Sequence, residues 1–227
     1  MADTIITVQG EHSAWYPAER ATAHAGVHTY GAKRDDAFAR AIDASDALRI
    51  VVEGLYDKEA GPITRWSSDS VRVWSERPWN NEGKQLASVF HAAIDFTAKF
   101  KEFDALARWV ESAAGIENVT VGSIMWDLTE ATRTSANSEV RSRAVKDAVA
   151  KATVFAQSIG LGSVTAIALA DPGMLGDPSG GGGPYSVVAR GAMKAQAFDS
   201  AGSAPQLALK PEEITVSSVV DARFVAK

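Results

Sequence analysis

The sequence predicts an α+β protein, and two kinds of apolar spacing support that prediction. Alternating apolar and polar residues, which are typical of half-buried strands, occupy segments such as 90–100 and 214–224. Apolar residues at helical spacing occupy others, most regularly where alanine recurs at every fourth position from Ala144 to Ala156. Their order along the chain predicts two strand-strand-helix-strand units, followed by a long alanine-rich helix and returning strands.

The chain begins with two predicted strands. Residues 5–8 form a β-branched run, and residues 21–30 alternate small and polar side chains. The turn-like sequence Trp15-Tyr16-Pro17 separates the two segments. We therefore expect the two strands to pair as a hairpin.

A first helix is predicted from Lys33, where the apolar period changes. Asp35 and Asp36 stand near its start, where acidic residues suit the helix dipole, and Gly61-Pro62 breaks the pattern. The apolar residues at helical spacing are Phe38, Ala41, Ile42, Leu48, Val52 and Leu55.

A pair of strands is predicted next, joined by a turn at 78–83. Residues 63–76 place Val71 and Val73 on one face and Arg72 and Trp74 on the other. The partner strand is half-buried, with a single apolar parity formed by Phe90, Ala92, Ile94, Phe96, Ala98 and Phe100.

A second helix is predicted before Gly115, which we expect to end it in the left-handed conformation. In the strand that follows, over 119–128, the apolar parity switches at Gly122, so we expect a bulge or a change of face there. The apolar stripe of this helix consists of Phe103, Leu106, Ala107 and Val110.

The longest predicted helix starts after Thr134-Ser135, either of which can serve as its N-cap. Its alanines from Ala144 to Ala156 form a smooth ridge, which lets the backbone approach a sheet or another helix closely. Gly160 is expected to cap the helix. Residues 164–170 are apolar on both parities, which predicts a central strand.

The segment 171–211 lacks strong periodicity and contains the glycine run 180–183. A connection of this length is either a functional loop or a flexible insertion, placed at about 172–211. The strand over 214–224 is predicted to return to the sheet. The whole chain, 1–227, is thus predicted to form a single domain, and an arrangement with two lobes stays open.

The composition bounds the classes of partner. The chain has 28 acidic and 23 basic residues and a net charge of −5, so nucleic acid is not expected as a partner. It contains no cysteine, which excludes disulfides and sulfur-ligated zinc. No apolar run is long enough to predict a membrane span. Because the N-terminus shows no signal peptide, we expect a cytoplasmic protein, or a periplasmic or secreted one if a signal was removed.

Several motifs occur together in a fixed order along the chain. They are Val8-x-Gly10, Pro17-x-Glu19-x-Ala21, the strand 94–98, Gly115 with Val119, Trp126-x-Leu128, the alanine ridge ending in Gly160-Leu161, and the closing strand 214–224. In this order the sequence resembles the SIMPL-domain family over nearly its whole length. The resemblance implies the fold above, the assembly of some members into large rings, and the oxidative-stress association of bacterial members. It carries no established catalytic residues to this chain.

The sequence departs from the family pattern in two places. Many relatives carry a signal peptide, whereas none is predicted from residues 1–4 and the strand-like segment after them, and the run 180–183 with its flanks looks like an insertion specific to its lineage.

Two histidines and the glycine run are candidate sites of chemistry. His24 and His28 have the spacing of a helical metal site, but in a strand that spacing separates them by roughly 13 Å. The glycine run 180–183 lacks the Lys and Ser or Thr of a phosphate-binding loop. We therefore predict no metal and no cofactor.

Two serines are candidate nucleophiles because each has a histidine nearby in the sequence. Ser13 beside His12 and Ser88 near His91 are neighbours in sequence only, without the glycine-flanked elbow of a nucleophilic serine. The sequence therefore predicts no catalytic residues.

Three of the six tryptophans, Trp66, Trp74 and Trp79, cluster around one predicted hairpin. They either anchor an interface or cover the core beneath a loop. We predict a non-catalytic protein that forms homo-oligomers through its sheet edges and this hairpin, with any other protein partner unknown. The alternative is a small-ligand-binding protein or enzyme with a cleft under the 171–211 loop, where Arg72, His91 and Asp95 would supply polar groups.

Overall fold

The computed structural model describes residues 3–175 and 209–227, and it confirms the predicted α+β class. The predicted flexible insertion lies largely outside the described residues. The elements are β1 (Thr4–Tyr16), β2 (Arg20–Gly31), α1 (Arg34–Glu53), β3 (Ile63–Ser68), β4 (Arg72–Glu76), β5 (Val89–Phe100), α2 (Phe103–Ala114), β6 (Val119–Asp127), α3 (Glu130–Ser158), β7 (Val164–Ala170) and β8 (Ile214–Ala226).

The chain divides into two compact units, each with its own sheet and core. One unit contains β1, α3, β7 and β8, with strand order β1-β8-β7. The other contains the remaining elements, with strand order β3-β5-β2-β6 and with β4 also paired to β5. The predicted hairpin of the first two strands is wrong, because β1 pairs along its whole length with β8 and β2 pairs with β5 and β6.

In the three-stranded unit, α3 packs on the sheet through its alanine ridge. Ala144, Ala148, Ala152 and Ala156 are all buried. A Cβ added to Gly10 of β1 would lie 2.1 Å from the carbonyl oxygen of Ala144 and 2.7 Å from the Cβ of Ala148. The predicted close approach of this helix is therefore confirmed, and a glycine on the facing strand makes it feasible.

The start of α3 differs from the prediction, whereas its end agrees with it. The helix begins at Glu130 with Thr129 as its N-cap, not at residues 134 or 135 as predicted, because its first turn is polar and adds nothing to the apolar period. At the other end, Gly160 has φ +80°, and the N–H of Leu161 donates to the carbonyl of Ala156 at 2.9 Å. This pattern is a Schellman motif and confirms the predicted cap.

The position of β7 differs from the prediction. The described strands place β8 in the middle of this sheet and β7 at its edge, with Ile167 and Leu169 more than half exposed. An apolar run on both parities describes the side chains of a strand but does not determine its neighbours.

In the five-stranded unit, one face of the sheet is covered by α1 and α2. The predicted alternation of β5 is confirmed, since Ile94, Phe96 and Phe100 are buried. Helix α1 buries Ala37, Ala41, Ala44, Leu48 and Val52, whereas Phe38, which was assigned to its apolar stripe, is 37% exposed.

Three local features refine the predicted elements of this unit. The predicted strand 63–76 is two strands, β3 and β4, which pair with different halves of β5. The bulge predicted at Gly122 is confirmed by a shift of register between β2 and β6. Gly115 has φ −79°, so the left-handed conformation predicted there is wrong; Asn118, at φ 65°, adopts it instead.

Candidate functional site

Aromatic side chains meet on the outer face of the five-stranded sheet, opposite its helices. The register places Tyr30 of β2 opposite His91 of β5, and His91 opposite Trp74 of β4. His28 lies two residues before Tyr30 and therefore shares its face. These four residues, His28, Tyr30, Trp74 and His91, form what we call the aromatic face.

Three rings of the aromatic face, those of His28, Trp74 and His91, are nearly parallel. The ring centroids of Trp74 and His91 are 5.2 Å apart with 11° between their planes, and those of His28 and Trp74 are 5.9 Å apart with 15°. Tyr30 is tilted by 39° to His91 at 6.3 Å. Tyr30 is 65% and Trp74 43% exposed, so the face presents aromatic surface to its surroundings.

The two histidines contact each other through ring nitrogens. Nδ1 of His91 lies 3.3 Å from Nε2 of His28, while the ring centroids are 5.4 Å apart and the planes differ by 5°. Because the nitrogens are so much closer than the centroids, the rings meet edge to edge rather than face to face. A hydrogen bond between them requires one N–H and one lone pair. One of the two facing nitrogens must therefore carry a proton, and the other must not.

The second nitrogen of His91 faces a carboxylate. Nε2 lies 3.2 Å from Oε1 of Glu76, and the imidazole side chain is only 14% exposed. The distance suits an ion pair, but Nε2 has no well-aligned hydrogen-bond acceptor among the described residues. We therefore treat Glu76 as a neighbouring charge that orients His91, rather than as a completed hydrogen bond.

The three polar groups named from the sequence lie on this same outer face. Arg72 donates to Asp95 at 2.6 Å, so the two charges are satisfied by each other. Gly26, opposite Asp95, leaves room for this pair, since a Cβ there would lie 3.3 Å from Oδ1 of Asp95. His91 is partly covered by Trp74. The predicted cleft under the 171–211 loop falls largely outside the described residues.

The three tryptophans named from the sequence have different environments. Trp66 pairs with Phe96 at 6.4 Å and packs against the buried core. Trp74 belongs to the aromatic face, and Trp79, 66% exposed, forms an isolated bridge with Gln85 in the β4–β5 connection. Tyr30 and Glu76 have no signal in the sequence, and His28 is paired there with His24; strand pairing makes all three neighbours of His91.

His24 and Ser88, also named from the sequence, have separate partners. His24 contacts Thr97 through Nδ1 at 3.2 Å, and Ser88 accepts a hydrogen bond from Arg77 at 3.0 Å. Within 3–175 and 209–227, no three side chains of the metal-ligating types are gathered around one point.

A charged cluster joins α3 to β1 in the three-stranded unit. The ammonium group of Lys151 lies 2.8 Å from Asp147 and donates to the carbonyl of Gln9 at 3.1 Å. The backbone N–H of Glu11 donates to Asp147 at 2.9 Å. The hydrogen bond from Lys151, and then that from Glu11, hold the pKa of Asp147 below its usual value.

A polar cavity of about 400 Å³ lies between α3 and β8 in the same unit. Its lining combines one cation with hydroxyl and amide groups, from Thr134, Asn137, Ser138, Arg141, Ser217 and Ser218.

Among the helices that the structure describes, none is both long and apolar enough to cross a membrane.

Comparison with known proteins places this chain in a family. None of the curated proteins matches the chain. The family model named SIMPL, described as a protein of unknown function (DUF541), matches residues 6–224, which is nearly the whole length. The chain therefore belongs to the SIMPL family.

Proposed function

We propose that this SIMPL protein is a non-catalytic interaction protein that associates with further copies of itself through the aromatic face and the neighbouring β4–β5 connection. The supporting observation is the exposure of Tyr30 and Trp74 on one face of the five-stranded sheet, together with the exposed Trp79 in the adjoining β4–β5 connection. Tryptophan and tyrosine are the residues that most often dominate the binding energy of protein interfaces.

The charges of this surface favour a second copy as its occupant. Arg72 and Asp95 neutralise each other on the sheet, so two such faces do not repel through this pair. In a twofold arrangement each face meets its own counterpart, and Arg72 of one copy can approach Asp95 of the other. A specific interface buries roughly 1,000 Å² or more in total, and large aromatic side chains each contribute about 150–250 Å².

The oligomeric state in solution tests the proposal. Size-exclusion chromatography with light scattering at micromolar concentration should give a mass of at least twice the 24.0 kDa of one chain. Trp74→Ala should weaken association by about 2 kcal/mol, or roughly thirty-fold. Trp15→Ala is the control, because Trp15 is also an exposed tryptophan, at 64% against 43% for Trp74, but lies on β1 of the other unit. A monomeric wild-type protein, or equal effects of both substitutions, contradicts the proposal.

Two finer expectations stay predictions. A stress-related role is supported by the family resemblance alone. The alternative function, a small-ligand-binding protein or enzyme with a cleft under the 171–211 loop, depends on a segment that is largely outside the described residues.

A further inference from the structure

We propose that His28 and His91 form a two-imidazole binding site for a divalent transition-metal ion, and that Glu76 positions His91 in it. Of the common ions, Cu²⁺ should bind most tightly, followed by Ni²⁺ and Zn²⁺, because imidazole ligands follow this general order of affinity. His28 and His91 also belong to the aromatic face, so we expect the ion to bind the dissociated chain, in which His28 is exposed to solvent. Titration at a chain concentration where the protein is monomeric keeps this test separate from the test of self-association.

The separation of the two nitrogens fits one bound ion. Metal–nitrogen bonds to histidine are about 2.0–2.1 Å long, which places two adjacent nitrogens of one coordination sphere roughly 3 Å apart. Nε2 of His28 and Nδ1 of His91 are 3.3 Å apart. The backbone register of β2 and β5 therefore holds the two nitrogens near the required spacing. Because they face each other across a hydrogen bond, the rings have to turn until both lone pairs point at the ion.

The surroundings of His91 provide a second, independent argument. A histidine that binds a metal through one nitrogen commonly presents its other N–H to a carboxylate, which selects the tautomer and orients the ring. Glu76 lies 3.2 Å from Nε2 of His91, on the nitrogen that does not face His28. A proton on Nε2 leaves the lone pair of Nδ1 directed towards His28, as metal binding requires.

Metal binding at this site needs no net change in protonation. In the metal-free protein, His91 carries its proton on Nε2 and its Nδ1 is unprotonated. The N–H that joins the two rings is then that of Nε2 of His28. When the ion binds, that proton moves through solvent to Nδ1 of His28, and both imidazoles remain neutral. The carboxylate of Glu76 offsets part of the positive charge, while Arg72 is already neutralised by Asp95.

The coordination is open because two protein ligands leave the remaining positions to water. His28 is exposed, so an ion can enter from solvent, and the ring of Trp74 lies 5.2 Å from that of His91. This proximity predicts that bound Cu²⁺ quenches part of the tryptophan fluorescence.

Calorimetric titration of the full-length protein with CuCl₂, repeated with NiCl₂ and ZnCl₂, tests the site. The wild type should bind one Cu²⁺ per chain, and electron paramagnetic resonance of the complex should show two imidazole nitrogens. His28→Ala and His91→Ala should each remove the two-nitrogen spectrum, whereas His24→Ala should keep it. His24 is the matched control, since it lies four residues from His28 on the same strand.

Glu76→Gln tests the positioning role separately. It should weaken Cu²⁺ binding by about ten-fold while leaving the two-nitrogen spectrum unchanged. Near-UV circular dichroism of each variant checks that its fold is retained. The proposal is overturned if the wild type shows no saturable binding, if His28→Ala binds like the wild type, or if His24→Ala loses as much as His28→Ala.

Discussion

Substitution of Gly10 by alanine should destabilise the three-stranded unit, because β1 and α3 touch at this glycine. The added Cβ would lie 2.1 Å from the carbonyl oxygen of Ala144 and 2.7 Å from the backbone nitrogen of Ala148. The first contact is more than an ångström closer than ordinary van der Waals contact begins. Since both atoms belong to the helix backbone, no side-chain rotation relieves the overlap, and the helix itself has to move.

The expected loss follows from two opposing effects. Overpacking a close-packed interior typically costs about 1–3 kcal/mol, whereas replacing glycine by alanine at an unstrained position stabilises by about 0.4–1 kcal/mol through the unfolded chain. Because the overlap at Gly10 is with backbone, we expect a net loss of about 2 kcal/mol in the free energy of unfolding. A displaced α3 would also loosen the packing of the whole alanine ridge.

Urea unfolding followed by far-UV circular dichroism measures this loss, read as a lower midpoint at unchanged slope. Gly162→Ala is the matched control in the same unit, since the nearest atom to its added Cβ is the carbonyl oxygen of Lys227 at 3.9 Å. A second variant, Gly10→Ala with Ala148→Gly, should recover little, because the contact with the Ala144 carbonyl persists. The reasoning is refuted if Gly10→Ala unfolds within about 0.5 kcal/mol of Gly162→Ala, a difference typical of harmless surface changes.

Two further predictions concern α3 and its neighbours. Gly160→Ala should lower the free energy of unfolding by about 1 kcal/mol in urea, because Gly160 has φ +80°. Gly115→Ala is the control and should not be destabilising, because Gly115 has φ −79°. Equal losses for the two variants would contradict the assignment of a Schellman motif. Because its contact with Lys151 lowers the pKa of Asp147, the stabilisation from that carboxylate is present above the unfolded-state value of about 3.9 and is lost as pH falls through the lower folded-state pKa. Asp147→Asn should therefore be less stable than wild type at pH 7 and should approach it on acidification in unfolding experiments; a difference that is constant with pH would contradict this assignment.

The candidate site was only partly visible in the sequence. Arg72, His91 and Asp95 stood out as polar residues in predicted strands, and the structure places all three on the outer sheet face. The sequence suggests a pairing of His28 with His24, four residues away. In the structure, His28 contacts His91, which is 63 residues away. Nothing in the local spacing distinguishes these two pairings, because strand register is set by non-local contacts.

The tryptophans illustrate the same limit. Trp66 and Trp74 are close in sequence, and the sequence predicts one strand for both. The strand is interrupted between them, so that Trp66 lies on β3 and Trp74 on β4, which pair with different parts of β5. Trp66 thereby packs against the core, while Trp74 joins the aromatic face. Parity along a single uninterrupted strand could not have predicted this separation.

Local sequence was enough to predict the fold class, the alternation of β5, the alanine ridge of α3 and the glycine cap at Gly160. Each of these features depends on residues within a few positions of one another. Long-range contacts of the folded chain set the pairing of β1 with β8, the position of β7 at a sheet edge, and the contact of His28 with His91. Strands supply unpaired N–H and C=O groups along both edges, and any compatible partner can satisfy them. The choice among partners is made by burial of the whole core rather than by local sequence.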